Sequence, residues 1–403
     1  MVQKILILGG DGFCGWPTAL HLSSLGHEIA IVDNLSRRAI DAEMGTSSLT
    51  PIADAETRLN TWEKISGRHI AFHQLDIAED YDGLRALLDS QRPDVIVHFA
   101  EQRAAPYSMK TPTTKRYTID NNIRATHNTL VALTDLGLDC HLVHLGTMGV
   151  YGYDGFNGEI PEGYLDVKIE EPDGRWSAHD IVFPTKPGSV YHLTKSMDHL
   201  MFQFYARNDR LRITDLHQGI VWGTQTPETR RDPRLINRFD YDGDYGTVLN
   251  RFVMQAAVGY PLTVHGSGGQ TRAFINIQDT TRCVALAVAN PPERGERVRI
   301  YNQVAESLRV RDLAALVADL TGASVAHVDN PRKEADENGL QVSNAGFRSL
   351  GFHPILLRDR LLEETLDIAR HYAQRSRRET IPARALWTPE NLPGVVKTEV
   401  AAT

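Results

Sequence analysis

Residues Lys4–Gly15, with the sequence KILILGGDGFCG, give the clearest indication of the fold of this chain. The four apolar residues after Lys4 make a short run that is typical of a buried strand. Gly9, Gly12 and Gly15 then recur at every third position, and a helical pattern begins at Gly15. Glycine removes the Cβ where a backbone turns tightly or where another group approaches closely. We therefore expect a strand, a tight turn and a helix whose N-terminus binds a diphosphate; the alternative is a plain tight turn.

Short apolar runs and helical patterns alternate along the first half of the chain. This alternation argues for a parallel sheet with helices on both faces, in a Rossmann-like, doubly wound α/β fold. The predicted strands after Lys4–Leu8 are Glu28–Val32, His69–Gln74, Val95–Phe99, His141–Leu145 and Ile213–Leu216. The predicted helices are Gly15–Leu25, Tyr81–Ser90, Asn122–Leu136, Ser189–Asn208, Leu308–Leu320 and Arg358–Ala373.

The second half of the chain is less regular. Residues 153–187 are rich in Gly, Pro and acidic groups, and residues 224–246 are polar, so we expect two long loops there. We interpret 1–235 as a dinucleotide-binding domain to which the chain returns near 273–303. A smaller, mixed C-terminal lobe over 236–375 would bind the substrate, and 376–403 would be a basic, Pro-containing tail.

The composition argues against several classes of protein. The 403 residues carry a net charge of −8 and no long basic run before the C-terminal end, so no nucleic-acid partner is expected. No apolar stretch approaches the ~18 residues of a membrane span, and the N-terminus lacks the features of a signal or transit segment. We therefore expect no membrane insertion and a cytoplasmic location. The three widely spaced cysteines, Cys14, Cys140 and Cys283, argue against a disulfide framework and a structural zinc site.

Other candidate metal ligands also lack the necessary pattern. His98, His144 and His217 lie in or at predicted strands without ligand spacing, so we interpret them as hydrogen-bonded core histidines. The alternating aspartates of 240–244 lack the glycine that a calcium loop requires. No metal site is therefore expected.

Asp33 ends the second predicted strand, at the distance from the glycines that a ribose-binding carboxylate has. A carboxylate there accepts hydrogen bonds from the adenosine ribose and repels a 2′-phosphate, which favours NAD as the cofactor. Arg37 and Arg38 would favour NADP, but Asp33 stands at the strand end where the ribose must lie. The pair Asp76-Ile77 ends another predicted strand. It either flanks the adenine, or Asp76 caps the next helix.

Tyr191 and Lys195 are four positions apart on a predicted helix, so their side chains face the same way. The ammonium should lower the pKa of the phenol, so that Tyr191 can take the proton of a substrate hydroxyl as a hydride leaves for NAD. Thr147 follows the predicted strand His141–Leu145, at the carboxyl edge where such sheets bind ligands. Its hydroxyl can bond the same substrate oxygen.

The glycine motif, Thr147, Tyr191 and Lys195 together resemble the signature of the extended short-chain dehydrogenase/reductase superfamily. Longer blocks narrow the resemblance to the UDP-sulfoquinovose synthase family, and the similarity covers nearly the whole chain. These blocks are GGDGFCGW (Gly9–Trp16), DNLSRR (Asp33–Arg38), SLTPI (Ser48–Ile52), HFAEQRAAPYSM (His98–Met109), LGTM (Leu145–Met148), YHLTK (Tyr191–Lys195), GGQTR (Gly268–Arg272) and NPR (Asn330–Arg332).

The resemblance implies UDP-glucose as the substrate and tightly held NAD as the cofactor. The sugar would be oxidised at C4, which acidifies the C5 proton, and loss of that proton and of the C6 hydroxyl gives a 4-keto-5-ene. Sulfite, free or from a sulfite-donating protein, would add at C6. The hydride would then return to C4 to give UDP-sulfoquinovose. A homodimer through two helices of each subunit is common in the superfamily and is expected here by analogy.

Two positions depart from related patterns. Related 4,6-dehydratases carry Thr-Asp-Glu where this chain has Thr147-Met148-Gly149, so the dehydratase acid and base are absent. His192 is a candidate replacement because imidazole titrates near neutrality; the alternative is that it packs on the far side of its helix. Val150 stands where plant-type members are expected to have Glu, which indicates a bacterial-type branch.

Arginines supply the candidate anion contacts. Arg103 should lie at the same sheet edge as Thr147, where it would orient sulfite or a sugar hydroxyl; the alternative is an ion pair with Glu101. Arg251 and Arg272, with Arg332, are candidates for the UDP diphosphate, although a single arginine is more often a surface residue.

The expected site falls into three sets. The expected catalytic residues are Thr147, Tyr191, His192 and Lys195. The expected NAD contacts are Gly9, Asp11, Gly12, Phe13, Cys14, Gly15, Asp33, Asn34, Arg37, Asp76, Ile77, Asn121, Tyr191, Lys195 and Gln218. The expected substrate contacts are Arg103, Thr147, Met148, Gln218, Arg251, Gln270, Arg272 and Arg332.

Overall fold

The structure is a computed structural model that describes residues 2–153, 158–330, 337–359 and 361–382. Its strands are β1 (Lys4–Leu8), β2 (Glu28–Asp33), β3 (Ile70–Gln74), β4 (Val95–His98), β5 (His141–Leu145), β6 (Glu159–Ile160), β7 (Tyr164–Glu170), β8 (Trp176–Val182), β9 (Arg212–Gln218), β10 (Ile220–Trp222), β11 (Leu262–His265), β12 (Thr271–Asn276), β13 (Arg299–Gln303), β14 (Glu306–Arg309), β15 (Val325–Val328) and β16 (Gln341–Val342). Its α-helices are α1 (Gly15–Ser24), α2 (Ser36–Met44), α3 (Ala55–Ser66), α4 (Tyr81–Gln91), α5 (Ala105–Lys110), α6 (Pro112–Asp135), α7 (Val190–Asn208), α8 (Val248–Ala257), α9 (Ile277–Ala289), α10 (Val310–Thr321), α11 (Ala345–Ser349) and α12 (Leu361–His371). Of these helices, none is both long enough and apolar enough to cross a membrane.

The seven strands of the central sheet are all parallel and run in the order β13-β9-β5-β4-β1-β2-β3. Their carboxyl ends therefore meet at one edge of the sheet. The direction in which the chain adds strands reverses between β1 and β4, and ligands bind at such a switch point. The predicted doubly wound α/β fold is confirmed.

Helices cover the central sheet on both faces. Successive side chains of a strand point to opposite faces, so Ile5 packs in one apolar core and Leu6 in the other. The first core includes apolar residues of α1, α3 and α9, and the second includes residues of α4, α6 and α7. Because helices cover both faces of the sheet, the strands are continuous runs of apolar residues and do not alternate between apolar and polar residues.

The helix α6 begins at Pro112, well before the predicted start at Asn122. Thr111 and Thr114 form a capping box at its N-terminus, which satisfies backbone N–H groups there. The first turns carry mainly polar side chains, and their weak apolar periodicity concealed the helix.

The second lobe has a core of its own around Trp222, Phe239, Phe252 and Phe274. It contains the three-stranded sheet β10-β12-β14, the pair β11-β15, and residues of α8, α10 and α12. The chain re-enters the central sheet through β13, which pairs with β9. Residues 376–382, predicted as the start of a tail, pack against the second lobe through the buried Ile381. Residues 383–403 of that tail lie outside the described residues.

The prediction of a loop over 153–187 is wrong for most of its described part. Strands β7 and β8 pair in antiparallel register from Tyr164↔Val182 to Glu170↔Trp176, and β6 pairs with β16. Apolar and charged residues alternate along β7, and this alternation is typical of a strand. The Gly, Pro and acidic content of the surrounding segment obscured that pattern.

Candidate active site

One cleft lies at the carboxyl edge of the central sheet and extends to the second lobe. The structure brings nearly all of the predicted site residues together in its walls. Those residues are Gly9, Asp11, Gly12, Phe13, Cys14, Gly15, Asp33, Asn34, Arg37, Asp76, Ile77, Arg103, Asn121, Thr147, Met148, Tyr191, His192, Lys195, Gln218, Arg251, Gln270 and Arg272. Arg332 lies outside the described residues. Their placement in one cleft is a finding, whereas the role of each in binding or catalysis stays a prediction.

The turn between β1 and α1 forms a cradle that admits no side chains. Gly9 has a φ of +81°, and a Cβ on it would lie 2.7 Å from the backbone N of Ala100. A Cβ on Gly15 would lie 2.2 Å from the carbonyl O of Gly9. The start of α1 lines the cleft through Cys14 and Gly15, and its first turn carries no acidic side chain that would repel an anion. This cradle fits a dinucleotide diphosphate.

The carboxylate of Asp33 is fixed at the end of β2 by two backbone hydrogen bonds. Its Oδ2 accepts from Asp11 N at 2.8 Å, and its Oδ1 accepts from Leu35 N at 2.7 Å. Burial raises the pKa of Asp33 to about 6, so the group still carries a negative charge at neutral pH. The fixed carboxylate fits a ribose diol.

The two arginines that would have favoured NADP are already paired. Arg38 donates to both carboxylate oxygens of Asp11, at 2.6 and 2.8 Å. Arg37 forms ion pairs with Asp41 and Asp240. Because these guanidinium groups are held by carboxylates, the arrangement favours NAD over NADP.

Asp76 lines the cleft, and it does not cap the next helix. Its Oδ1 accepts from Ala78 N at 3.0 Å, which stabilises the turn after β3. The N-cap of α4 is Asp80, which accepts from Gly83 N. The alternative of a helix cap at Asp76 is therefore wrong. Its Oδ2 accepts from Asn34 Nδ2 at 2.8 Å, so these two predicted cofactor contacts support each other.

Tyr191 and Lys195 lie in the first turns of α7, whose N-cap Ser189 accepts from His192 N. Both side chains line the cleft with Thr147, which follows β5. Burial raises the pKa of Tyr191 to about 12, although Lys195 and a hydrogen bond from Thr147 lower it. Lys195 lowers the pKa of the phenol, as expected, but burial outweighs the ammonium and leaves the pKa above its ordinary value.

Most of the groups that contact Lys195 were not among the site residues predicted from the sequence. Its Nζ lies 2.9 Å from Glu101 Oε1 and donates to the carbonyl O of Leu145 at 2.7 Å. It also lies 3.0 Å from His144 Nε2. The sequence does contain a signal for this contact, which is a glutamate directly after the apolar run of β4. A carboxylate at a buried sheet edge needs a cationic partner.

His192 faces the cleft, and not the far side of α7. Its ring contacts Tyr191 and Tyr153 at centroid distances of 5.4 and 5.8 Å. The position next to it is Gly149, where a Cβ would collide with the imidazole. The absence of a side chain at residue 149 is therefore what admits His192 to the site.

Arg103 forms its ion pair with Asp240, and not with Glu101. The alternative that paired it with Glu101 is wrong because Glu101 is taken by Lys195 and His144. Asp240 also binds Arg37 and Arg238, so one buried carboxylate forms ion pairs with three guanidinium groups. Arg103 is one-third exposed at the cleft wall.

The arginines of the second lobe are buried. Arg251 is 7% exposed and Arg272 is 5% exposed, so the alternative of plain surface arginines is wrong for both. Arg272 stacks on the ring of Tyr153 at 4.3 Å from its centroid, and Gln270 donates to the carbonyl O of His265. Two buried cations that line the same cleft provide donors for a second diphosphate.

Comparisons with known proteins agree with this geometry. A model of the NAD dependent epimerase/dehydratase family matches residues 5–302. The chloroplastic UDP-sulfoquinovose synthase of Spinacia oleracea is 44% identical over 390 residues, which cover 96% of this chain and 79% of that protein. The UDP-sulfoquinovose synthase of Sulfolobus acidocaldarius is 38% identical over 358 residues, which cover 87% of this chain and 88% of that protein.

A solved structure agrees in fold. The UDP-glucose 4-epimerase of Thermotoga maritima, with UDP-glucose, matches at a TM-score of 0.67 and 20% identity, over 92% of this chain and 98% of that one. The matching family is NAD dependent, and NAD is the cofactor of this chain. The chain belongs to the NAD dependent epimerase/dehydratase family and, within it, to the UDP-sulfoquinovose synthases.

Proposed function

We propose that this protein makes UDP-sulfoquinovose from UDP-glucose and sulfite. The observation that carries the proposal is the single cleft in which the glycine cradle, the Tyr191–Lys195 pair and the buried Arg251 and Arg272 meet. Two UDP-sulfoquinovose synthases share sequence identity with the chain over most of its length. This similarity favours the formation of UDP-sulfoquinovose over the other reactions that enzymes of this fold catalyse.

The first step is oxidation of the sugar at C4. NAD, when bound, supplies the hydride acceptor for C4 and gives the hydride back at the end. Tyr191 takes the proton of the C4 hydroxyl, and Thr147 donates a hydrogen bond to the same oxygen or accepts one from it. Since burial holds the pKa of Tyr191 at about 12, a further positive charge near the phenol is required before it ionises at neutral pH.

The middle steps form the carbon–sulfur bond. The C4 ketone acidifies the C5 proton, a base removes that proton, and the C6 hydroxyl leaves as water after it is protonated. Met148 and Gly149 offer no carboxylate for these transfers, so we assign them to His192, which faces the cleft. Sulfite then adds through sulfur to C6 and C5 takes up a proton, which restores the 4-ketone.

Two sets of cations serve the anions of this reaction. Arg251 and Arg272 bind the UDP diphosphate in the second lobe. Arg103 orients sulfite at the sheet edge, where Asp240 holds its guanidinium. The sulfite comes either free or from a sulfite-donating protein.

We also infer a homodimer and a cytoplasmic location. Leu193, Met197, Leu200 and Phe204 are exposed along one face of α7, which is an apolar surface suited to a second subunit. The three cysteines are buried free thiols, which suits a reducing compartment.

The test is mass spectrometry of the product from UDP-glucose, with and without sulfite. We expect UDP-sulfoquinovose when sulfite is present, and no epimer or stable dehydrated sugar when it is absent. UDP-galactose as the main product under both conditions would overturn the proposal and indicate a 4-epimerase.

A further inference from the structure

A buried carboxylate behind the catalytic pair has no part in the steps above. The side chain of Glu101 is 2% exposed, and its Oε1 lies 2.9 Å from Lys195 Nζ. We propose that Glu101 is a positioning residue: it holds the ammonium of Lys195 in place and offsets its positive charge, and so sets how tightly Tyr191 holds its proton. This inference rests on the proposed function, because it concerns the proton acceptor of the same site.

Three groups converge on one oxygen of Glu101. Lys195 Nζ approaches Oε1 at 2.9 Å, His144 Nε2 approaches the same atom at 3.0 Å, and Thr126 Oγ1 donates to it at 3.2 Å. Behind them, His144 Nδ1 lies 2.8 Å from Asp215 Oδ1. Lys195 also donates to the carbonyl O of Leu145 at 2.7 Å. The ammonium is therefore anchored by a fixed backbone atom and by a carboxylate that is itself fixed from the far side.

Groups of opposite charge lie next to each other in this cluster. Burial by itself would raise the pKa of Glu101, but Lys195 and His144 hold that pKa below its ordinary value. Burial and Lys195 would lower the pKa of His144, but hydrogen bonds and charge from Asp215 and Glu101 raise it. The carboxylate of Glu101 thus lies against the ammonium of Lys195 and opposes the effect of that ammonium on Tyr191.

The tyrosine responds to both members of the nearer pair. Burial is the main reason that the pKa of Tyr191 is raised, Lys195 lowers it, and Glu101 raises it again. The phenol must be ionised to take the C4 proton in the first step and protonated to return it in the last, so the pKa of Tyr191 sets the pH range of the reaction. The other charged or titratable groups that face this cluster come from several elements. They are His98 on β4, Arg103 after β4, His144 on β5, Asp198 on α7 and Asp215 on β9.

The chain offers a matched control in Asp198. Its carboxyl is also buried beside His144, with an Oδ2 to Nε2 distance of 3.7 Å, but it makes no hydrogen bond to any described residue. Burial, and then the charge of Glu101, raise the pKa of Asp198 well above its ordinary value, which favours its uncharged form. Asp198→Asn therefore replaces a carboxyl whose charged form is disfavoured, whereas Glu101→Gln removes a carboxyl whose charged form is favoured.

The experiment compares Glu101→Gln, Glu101→Asp and Asp198→Asn in the NAD-loaded enzyme. The first readout is the ionisation of Tyr191, followed by NMR of its ring carbons and assigned by the loss of that signal in Tyr191→Phe. The second is the pH profile of NADH formation with UDP-glucose. A merely structural role for Glu101 would change the melting temperature of the variant but would leave the pH at which Tyr191 ionises in place.

We expect Tyr191 to ionise about one pH unit lower in Glu101→Gln, because a neighbouring unit charge shifts a pKa by roughly that amount. The acid limb of the pH profile of NADH formation should shift to lower pH as well. Glu101→Asp, which draws the carboxylate back by one methylene, should shift both readouts partway, and it carries the test if Glu101→Gln does not fold. Asp198→Asn should match the unchanged protein.

An unchanged ionisation of Tyr191 in Glu101→Gln, or an equal shift in Asp198→Asn, would overturn the inference. Failure of the proposed function looks different. In that case the unchanged protein would give no UDP-sulfoquinovose from UDP-glucose and sulfite, while the NMR comparison would still report on Glu101.

Discussion

The imidazole of His192 occupies the space that any side chain at residue 149 would fill. A Cβ on Gly149 would lie 2.3 Å from Cδ2 and 2.5 Å from Nε2 of His192. Contacts this short cannot persist, so a methyl group there must displace the ring. The relationship gives a way to move His192 without changing its chemistry.

We predict that Gly149→Ala slows sulfonation by about a hundredfold, since an error of about 1 Å in a reacting group can cost that much. NADH formation with UDP-glucose should fall less, because Tyr191 performs that step. The matched control is Gly188→Ala, where the added Cβ would lie 3.8 Å from His192 Nδ1, an ordinary contact. Gly188→Ala should keep the activity of the unchanged protein. Full sulfonation by Gly149→Ala would exclude His192 as the group that moves the C5 or C6 proton.

Tyr191→Phe should fold and bind NAD but lose C4 oxidation. The ring still packs, and only the proton acceptor is removed, so NADH formation with UDP-glucose should fall by roughly 10²- to 10⁴-fold. Stopped-flow absorbance of NADH measures this, and fluorescence of bound NADH serves as the control for cofactor binding. Retained NADH formation would refute the assignment of Tyr191 as the base.

The unchanged protein should bind NAD and not NADP, and Asp33→Ala should relax this preference about tenfold or more, by removing the repulsion toward a 2′-phosphate. Calorimetric titration of both cofactors measures the ratio of their dissociation constants. Asp33→Asn is the milder variant, because it keeps an oxygen that can accept from Asp11 N or Leu35 N. Equal affinity of the unchanged protein for both cofactors would count against Asp33.

Arg103→Ala should separate the two halves of the reaction. If Arg103 orients sulfite, the sulfite concentration needed for half-maximal rate should rise steeply, by about tenfold or more for a lost charge-assisted contact. Exchange of the C5 hydrogen with deuterated water should persist, because it precedes sulfite addition. Mass spectrometry follows both in one sample. A parallel loss of C5 exchange would show that Arg103 holds the sugar or, with Asp240, the fold.

The homodimer prediction depends on the exposed apolar face of α7. Leu200, 61% exposed, lies near its middle, and Leu200→Glu should convert a dimer to a monomer by placing a charge in the interface. Light scattering after size exclusion measures the mass. Leu320→Glu on α10 is the control, since Leu320 is also exposed but lies in the other lobe. A monomer for the unchanged protein would contradict the prediction.

The local sequence was sufficient to predict those features of the structure that depend on local backbone geometry. The glycines of Gly9–Gly15 require a turn that excludes side chains, so the strand, turn and helix follow from a dozen residues. Helical spacing placed Tyr191 and Lys195 on one face for the same reason. Polarity alone was a poorer guide. The polar composition of 153–187 conceals the alternation within β7, and the polar first turns of α6 conceal its start.

The fold class, the glycine cradle, the Tyr191–Lys195 pair and the family could all be predicted from the sequence alone. Which charged groups meet depends on the tertiary structure. Arg103 does not pair with Glu101, which is two positions away in the sequence. It pairs with Asp240, which is 137 positions away along the chain. Lys195 takes Glu101 instead. The physical reason is that an ion pair depends on which buried groups the packed segments bring within hydrogen-bond reach, and on the burial that makes an unpaired charge costly.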